Sequence, residues 1–194
     1  MKKLLVILAA IVLIASVASA QNFWGQGKMS AGGGVELALP MGDWGNAVGT
    51  GIGIFGLFQY GLNQDMLVTG QLGYTMWSSK DWGNGYSGKA SSFEILGGVK
   101  YNLSKQVTPG FYALGQLGIH SISTTTTTPS SPGITFGGVT YGGYAGGDVT
   151  GSASKFVINL GVGYQYTNFD ASVKYVINGD ISNLAINVAY VVPL

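Results

Sequence analysis

No cysteine occurs in the 194 residues, so neither a disulfide nor a thiolate metal site can be built. That is compatible with an oxidising compartment. Arginine is missing too, and charged residues make up only 9% of the chain, where soluble domains carry about 25%. Phosphate binding needs clustered Lys and Arg, which excludes nucleic acid as a partner. One histidine, His120, leaves no Asp/His cluster for a metal, and no cofactor site is expected. After residue 20 there is no apolar run long enough for a membrane-spanning helix of about 20 residues. If that part of the chain enters a membrane, it must do so as a closed barrel, because hydrocarbon tolerates no unpaired backbone.

Residues 1–20 read as a cleavable export signal. Lys2 and Lys3 supply the charged start, residues 4–14 the apolar run, and Ala18-Ser19-Ala20 the small-residue cleavage site. Position 21 is Gln rather than Cys, so a lipid anchor has no attachment residue. Residues 21–194 are expected to form one domain. Without Lys2 and Lys3 it holds seven basic against eight acidic side chains.

What the chain does have is alternation. In residues 154–166 (SKFVINLGVGYQY), Phe156, Ile158, Leu160, Val162, Tyr164 and Tyr166 share one parity. Lys155, Asn159, Gly161, Gly163 and Gln165 share the other, with Val157 the one apolar intruder. Strands send successive side chains to opposite faces, so this stretch has one greasy face and one small or polar face. The pattern recurs in residues 28–39, 50–60, 66–77, 92–103, 110–122, 169–177 and 184–192, giving eight strands. Residues 50–60 alternate least cleanly, because Phe55 and Leu57 fall among the inward set. Connections after the first, third, fifth and seventh strands are loops of varied length, Pro40 ending the first strand. Those after the second, fourth and sixth are short turns. The loops are expected at 78–91, at 178–183 and, longest, at 123–151, where ITFGGVTYGGY could form a hairpin too short to span a membrane.

The expected architecture is all-β: an eight-stranded antiparallel up-and-down transmembrane barrel with its greasy face toward lipid. Tyr60, Tyr101, Phe111, Tyr166 and Tyr190 then fall near one membrane edge. Tyr74, Phe93, Phe156 and Tyr175, with Trp44, fall near the other. Two aromatic girdles thus emerge from a strand count made without them.

Residues 38–45 (ALPMGDWG), followed by 49–65 (GTGIGIFGLFQYGLNQD), are where a resemblance becomes specific. The chain resembles the small outer-membrane β-barrel superfamily that includes OmpX and the membrane domain of OmpA, over essentially all of residues 21–194. The resemblance implies the outer membrane of a Gram-negative cell, contact with outer-membrane lipid, a monomeric barrel, and delivery by the barrel assembly machinery. Such barrels often end in a Phe read by that machinery, whereas this chain ends Pro193-Leu194. The motif names no activity.

The inward polar set is Glu36, Glu94, Lys100, Gln116, His120, Lys155, Asp170 and Lys174. Two glutamates suit acid/base chemistry, yet eight strands leave a lumen just wide enough for side chains to fill. Cross-lumen pairing is the favoured reading. His120 would serve a lipid-modifying hydrolase or acyltransferase only beside an aligned hydroxyl, and Ser121 and Ser123 lie on the opposite parity. Glycine repeats such as GTGIG sit in strands with no Lys-Ser/Thr after them, so they are structural rather than phosphate-binding. Solute-sized pores belong to barrels of about 16–18 strands. Loop 123–151, rich in Thr, Ser, Gly and Tyr, has the composition of an adaptable contact surface for an extracellular ligand; a solvated, shielding loop is the plainer reading. The expectation is therefore a non-catalytic, plugged outer-membrane barrel with a structural or surface-interaction role. Its rivals are an enzyme using His120 and a soluble periplasmic barrel with the greasy faces turned inward.

Overall fold

The computed structural model describes residues 24–104, 110–131, 133–136, 138–143, 145–179 and 181–194. The expected export signal lies outside the described residues. In chain order the elements are β1 (Met29–Met41), α1 (Gly42–Ala47), β2 (Gly51–Gly61), β3 (Met66–Gly83), β4 (Tyr86–Asn102), β5 (Gly110–Thr128), β6 (Ile134–Phe136), β7 (Val139–Tyr141), β8 (Gly147–Tyr166), β9 (Phe169–Asn178) and β10 (Ile181–Pro193). Eight strands close in the order β1-β10-β9-β8-β5-β4-β3-β2, each antiparallel to its neighbours. The last strand pairs with the first from Ser30↔Pro193 to Met41↔Ser182, which leaves the wall without an edge. β6 and β7 form a separate two-stranded sheet, the hairpin expected inside the long loop.

The parity read from sequence holds around the ring. Ile54, Met76, Ile119, Phe156 and Leu160 all point outward, each more than half exposed, with Ile54 at 67%. So broad an apolar surface is foreign to a soluble monomer. Their neighbours along each strand face in and are buried. Glu36, Glu94, Lys100 and Lys174 are all buried, which overturns the inside-out, water-soluble alternative.

Several loops turn out to be strand. Residues 78–91, expected as a polar loop, are the ends of β3 and β4, joined through Asn84 (φ +53°) and Gly85 (φ +81°) with Gly83 paired to Tyr86. Positive φ at both central residues makes a two-residue hairpin turn, and the Asn-Gly pair is the strongest short signal for one. Expected outcome: Gly85→Ala lowers stability by about 1–2 kcal/mol in urea unfolding of the refolded barrel, since a Cβ there is strained and meets Pro129 Cβ at 2.9 Å. Much of 123–151 is likewise strand, β5 running to Thr128 and β8 starting at Gly147. The expected 178–183 loop shrinks, because Asn178 pairs with Ile181. β1 continues past Pro40, which pairs only on the β10 side, where the ladder with β2 has already ended.

The interior is filled from end to end. At the end that carries the short turns and the C-terminus, Trp24, Phe55, Leu57, Leu67, Tyr112, Leu114, Ala189 and Val191 form an apolar plug. The inward Phe55 and Leu57 that blurred the alternation of β2 belong to it. At the loop end Ala38, Trp44, Val48, Trp77, Ala90 and Ile122 form a second plug. Trp44 is therefore not part of an outer girdle: α1 folds back over the mouth and stacks it edge-on against Trp77, ring centroids 5.5 Å apart.

Candidate functional site

Between the two plugs the lumen is polar. Nearest the turn end, the carboxylate of Asp170 on β9 accepts hydrogen bonds from Lys100 Nζ on β4 and the Tyr112 hydroxyl on β5. Gln59 Nε2 reaches the same carboxylate at 3.4 Å, and Ser30 Oγ donates to Gln59 Oε1 at 3.2 Å. The ammonium of Lys100 also lies 4.4 Å from the centre of the Tyr112 ring. Asp170 and Lys100 are each only 3% exposed. A buried pair of charges is tolerated when further contacts satisfy the partners; here Asp170 also accepts from Tyr112 and Gln59, and Lys100 lies over the Tyr112 ring.

A second network lies above it. Glu36 on β1 takes Lys174 Nζ at 3.6 Å and the Thr75 hydroxyl at 3.2 Å. With its amide turned so that nitrogen faces the carboxylate, Asn187 donates to Glu36 Oε2 at 2.8 Å and accepts from Lys174 Nζ at 3.2 Å. The orientation of such an amide is assigned from its partners. Gln71 Nε2 donates to Glu94 Oε1 at 2.8 Å, Gln116 Nε2 to Gln71 Oε1 at 3.3 Å, and Asn159 Nδ2 to Gln116 Oε1 at 3.5 Å.

The structure thus brings Lys100 to Asp170, Lys174 to Glu36, and Gln116 to Glu94 through Gln71. Lys155 sits higher, opposite His120 in the β5–β8 register and half-buried at the mouth. His120 is buried with Nδ1 3.0 Å from Asn178 Nδ2. The hydroxyls nearest it in sequence face away; Ser121 and Ser154 bond each other on the outer surface at 3.1 Å. Among the described residues no group of three His, Asp or Glu side chains could hold a metal.

Sequence reasoning left Tyr112, Gln59, Gln71, Thr75, Asn159 and Asn187 out of the network. Their inward parity and polar ends were the available signal. An internal cavity of about 10 Å³ remains, bounded by Phe55, Lys100, Tyr112, Asp170, Lys174 and Asn187. That is room for about one water molecule.

Outside, the aromatics gather at two levels. Phe111 lies against Tyr164 with centroids 4.8 Å apart, and Phe169 against Tyr190 at 5.3 Å, beside Tyr166. Tyr60 and Tyr101 flank the same end through their pairings with Met29 and Met66. Toward the loop end, Tyr74 is paired with Phe93, Ile119 with Phe156, and Tyr175 with Leu160.

The sequence matches no protein-family model and no curated relative. The structure does find relatives in shape. Ail, the attachment invasion locus protein of Yersinia pestis, superposes with a TM-score of 0.57 at 15% identity, over 86% of this chain and 99% of that one. The fold is that of the small outer-membrane β-barrels. Ail in complex with the heparin analogue sucrose octasulfate gives 0.55 at 16% identity, over 86% and 99% of the two chains. Neisserial surface protein A gives 0.50 at 14%, over 84% and 96%. Identities this low carry architecture and no activity.

Proposed function

We propose that this chain is an integral outer-membrane barrel that acts as a sealed, non-catalytic scaffold and displays its loop end for contacts outside the cell. One observation carries the reading: a continuous apolar outer wall surrounds a lumen filled from plug to plug. The wall suits lipid with the aromatic girdles at its two edges, the export signal suits delivery to that membrane, and a lumen without a water path suits neither a pore nor a substrate site. Catalysis through His120 lacks an aligned nucleophile among the described residues, since the amide of Asn178 occupies its Nδ1.

The loop end is not a basic patch. Lys80, Lys89 and Lys155 stand against Asp43, Asp81 and Asp148 there. Capture of a sulfated glycan, as Ail captures sucrose octasulfate, thus has no charge basis in the described residues. The test is the protein refolded into detergent, run boiled and unboiled on a gel, and reconstituted in planar bilayers. A faster unboiled band with no porin-sized conductance steps is expected. Steady open-channel steps would overturn the sealed lumen, and altered lipid A in cells carrying His120→Ala would overturn the non-catalytic role.

A further inference from the structure

All but one of the side chains in the turn-end plug stand on the barrel wall. Phe55 and Leu57 belong to β2, Leu67 to β3, Tyr112 and Leu114 to β5, and Ala189 and Val191 to β10. Trp24 comes instead from the lead-in, ahead of the start of β1 at Met29. It is nevertheless only 2% exposed, and its ring centroid lies 6.5 Å from that of Tyr112. The Tyr112 hydroxyl in turn donates to Asp170, the carboxylate paired with Lys100. Trp24 thus stands between the lower polar network and the turn end.

The path of the backbone explains how an indole from outside the wall reaches the lumen. Beyond the Met29↔Tyr60 pair, Gly61 N–H donates to Lys28 O at 2.8 Å and Gly27 N–H to Gly61 O at 2.9 Å. There the chain doubles back. Gly27 takes φ +77°, which glycine adopts without penalty, and Lys28 N–H closes the turn on Gly25 O at 3.2 Å. Gly25 O then lies against Gly61, where a Cβ would come within 1.9 Å of it. Residues 24–28 are a strap with its foot at Lys28 and Trp24 at its inner end.

We propose that this strap is a gate at the turn end: it lifts, withdraws Trp24 and opens the Lys100–Asp170 network to water while the wall and the loop-end plug stay closed. The inference rests on the sealed membrane barrel proposed above. Residues 24–27 belong to no strand, and segments of that kind open locally at a small fraction of the cost of global unfolding. The wall strands have no such freedom, because each is paired on both sides around the ring. Withdrawing Trp24 makes a blind vestibule rather than a pore, since Trp44 and Trp77 remain stacked at the other mouth. Water and small ions are what it admits, as it ends on a buried pair of opposite charges.

The chain has no cysteine, so one introduced thiol reports water access without background. Ser30→Cys exchanges a single atom just inside the foot of the strap, at a lumen-facing residue that is 2% exposed and bonded to Gln59. Ser92→Cys does the same beneath the loop-end plug, where Ser92 is 3% exposed and accepts from Trp77 Nε1 at 3.4 Å. Each is made in the full chain, refolded in nanodiscs and labelled with a charged thiosulfonate. Ser30→Cys should be labelled faster than the heat-shifted band is lost under the same conditions. A strap that is open about 0.1–10% of the time slows labelling at least about tenfold, and Trp24→Ala should abolish that protection. Gly61→Ala, which pushes Gly25 O away and leaves the indole in place, should also speed labelling of Ser30→Cys. Ser92→Cys should keep its rate in both backgrounds. Labelling of Ser30→Cys no faster than unfolding, failure of either variant to speed it, or equal acceleration at Ser92→Cys would each overturn the proposal. So would loss of the heat shift in Trp24→Ala alone, since the strap would then be part of what holds the wall together. A missing heat shift in the wild type would overturn the membrane reading, and this inference with it.

Discussion

Asp170→Ala is expected to lower the stability of the refolded barrel by about 3–5 kcal/mol. The carboxylate is the sole ion-pair partner of Lys100 among the described residues and the acceptor for the Tyr112 hydroxyl. Removing it leaves an ammonium that is 3% exposed with no counter-charge, packed against an aromatic face. Apolar plugs stand between it and bulk water at both ends of the lumen. The larger part of the loss is the penalty for the stranded charge rather than the worth of the bond. Replacing both partners by apolar residues, Asp170→Leu with Lys100→Met, should therefore be less damaging than Asp170→Ala alone. Urea unfolding in detergent, followed by loss of the faster-migrating band, reads both. A single variant as stable as the wild type would mean that the lumen admits enough water to solvate Lys100.

Gly118→Ala is the second large effect, about 3 kcal/mol of destabilisation or a barrel that fails to close. A Cβ at Gly118 would lie 1.9 Å from the carbonyl oxygen of Ile95 and 2.9 Å from Leu96 Cα. Both are backbone atoms of the neighbouring strand β4, so nothing flexible can give way. Gly97, paired with Leu117 one step along the same seam, faces outward with nothing within 4 Å of such a Cβ. Gly97→Ala should be neutral or slightly stabilising, because it only removes freedom from the unfolded chain. The same unfolding experiment, run on the two variants in parallel, separates close approach from mere strand propensity. Equal losses would remove the steric account.

Much of the barrel was legible in residue parity. Phe156, Leu160 and Val162 against Asn159 and Gln165 announce a strand with one greasy face, and the same signature repeated elsewhere marks the other seven. The loop end was less legible. Serine, threonine and glycine in 78–91 and 123–151 read as loop because strand sequence is recognised by its buried face, and in the sheet above the barrel only Gly88 and Ala90 of those segments are buried among the described residues. Asn84-Gly85 was the one local signal that the first of these segments is a hairpin. The site was half legible. Parity places Asp170, Lys100, Glu36 and Lys174 inside, but it is silent on who meets whom.

Side-chain direction along a strand is set by covalent geometry, so the sequence alone established which residues face outward. With no apolar run long enough for a helix after residue 20, strands were the only way left to cross a membrane, and hydrocarbon requires every strand to be paired into a ring. Three things needed the folded molecule. Asp170 finds Lys100, 70 residues away in the chain, because strand tilt and stagger put them at one height in the lumen, and stagger belongs to the ring as a whole. Trp44 enters the mouth because α1 turns back over a hydrophobic rim that no single strand possesses. Among the described residues β8 outruns β9, whose ladder begins at Ile158 while that of β5 continues to Gly147, a mismatch in length between neighbours that exists only once the neighbours are known.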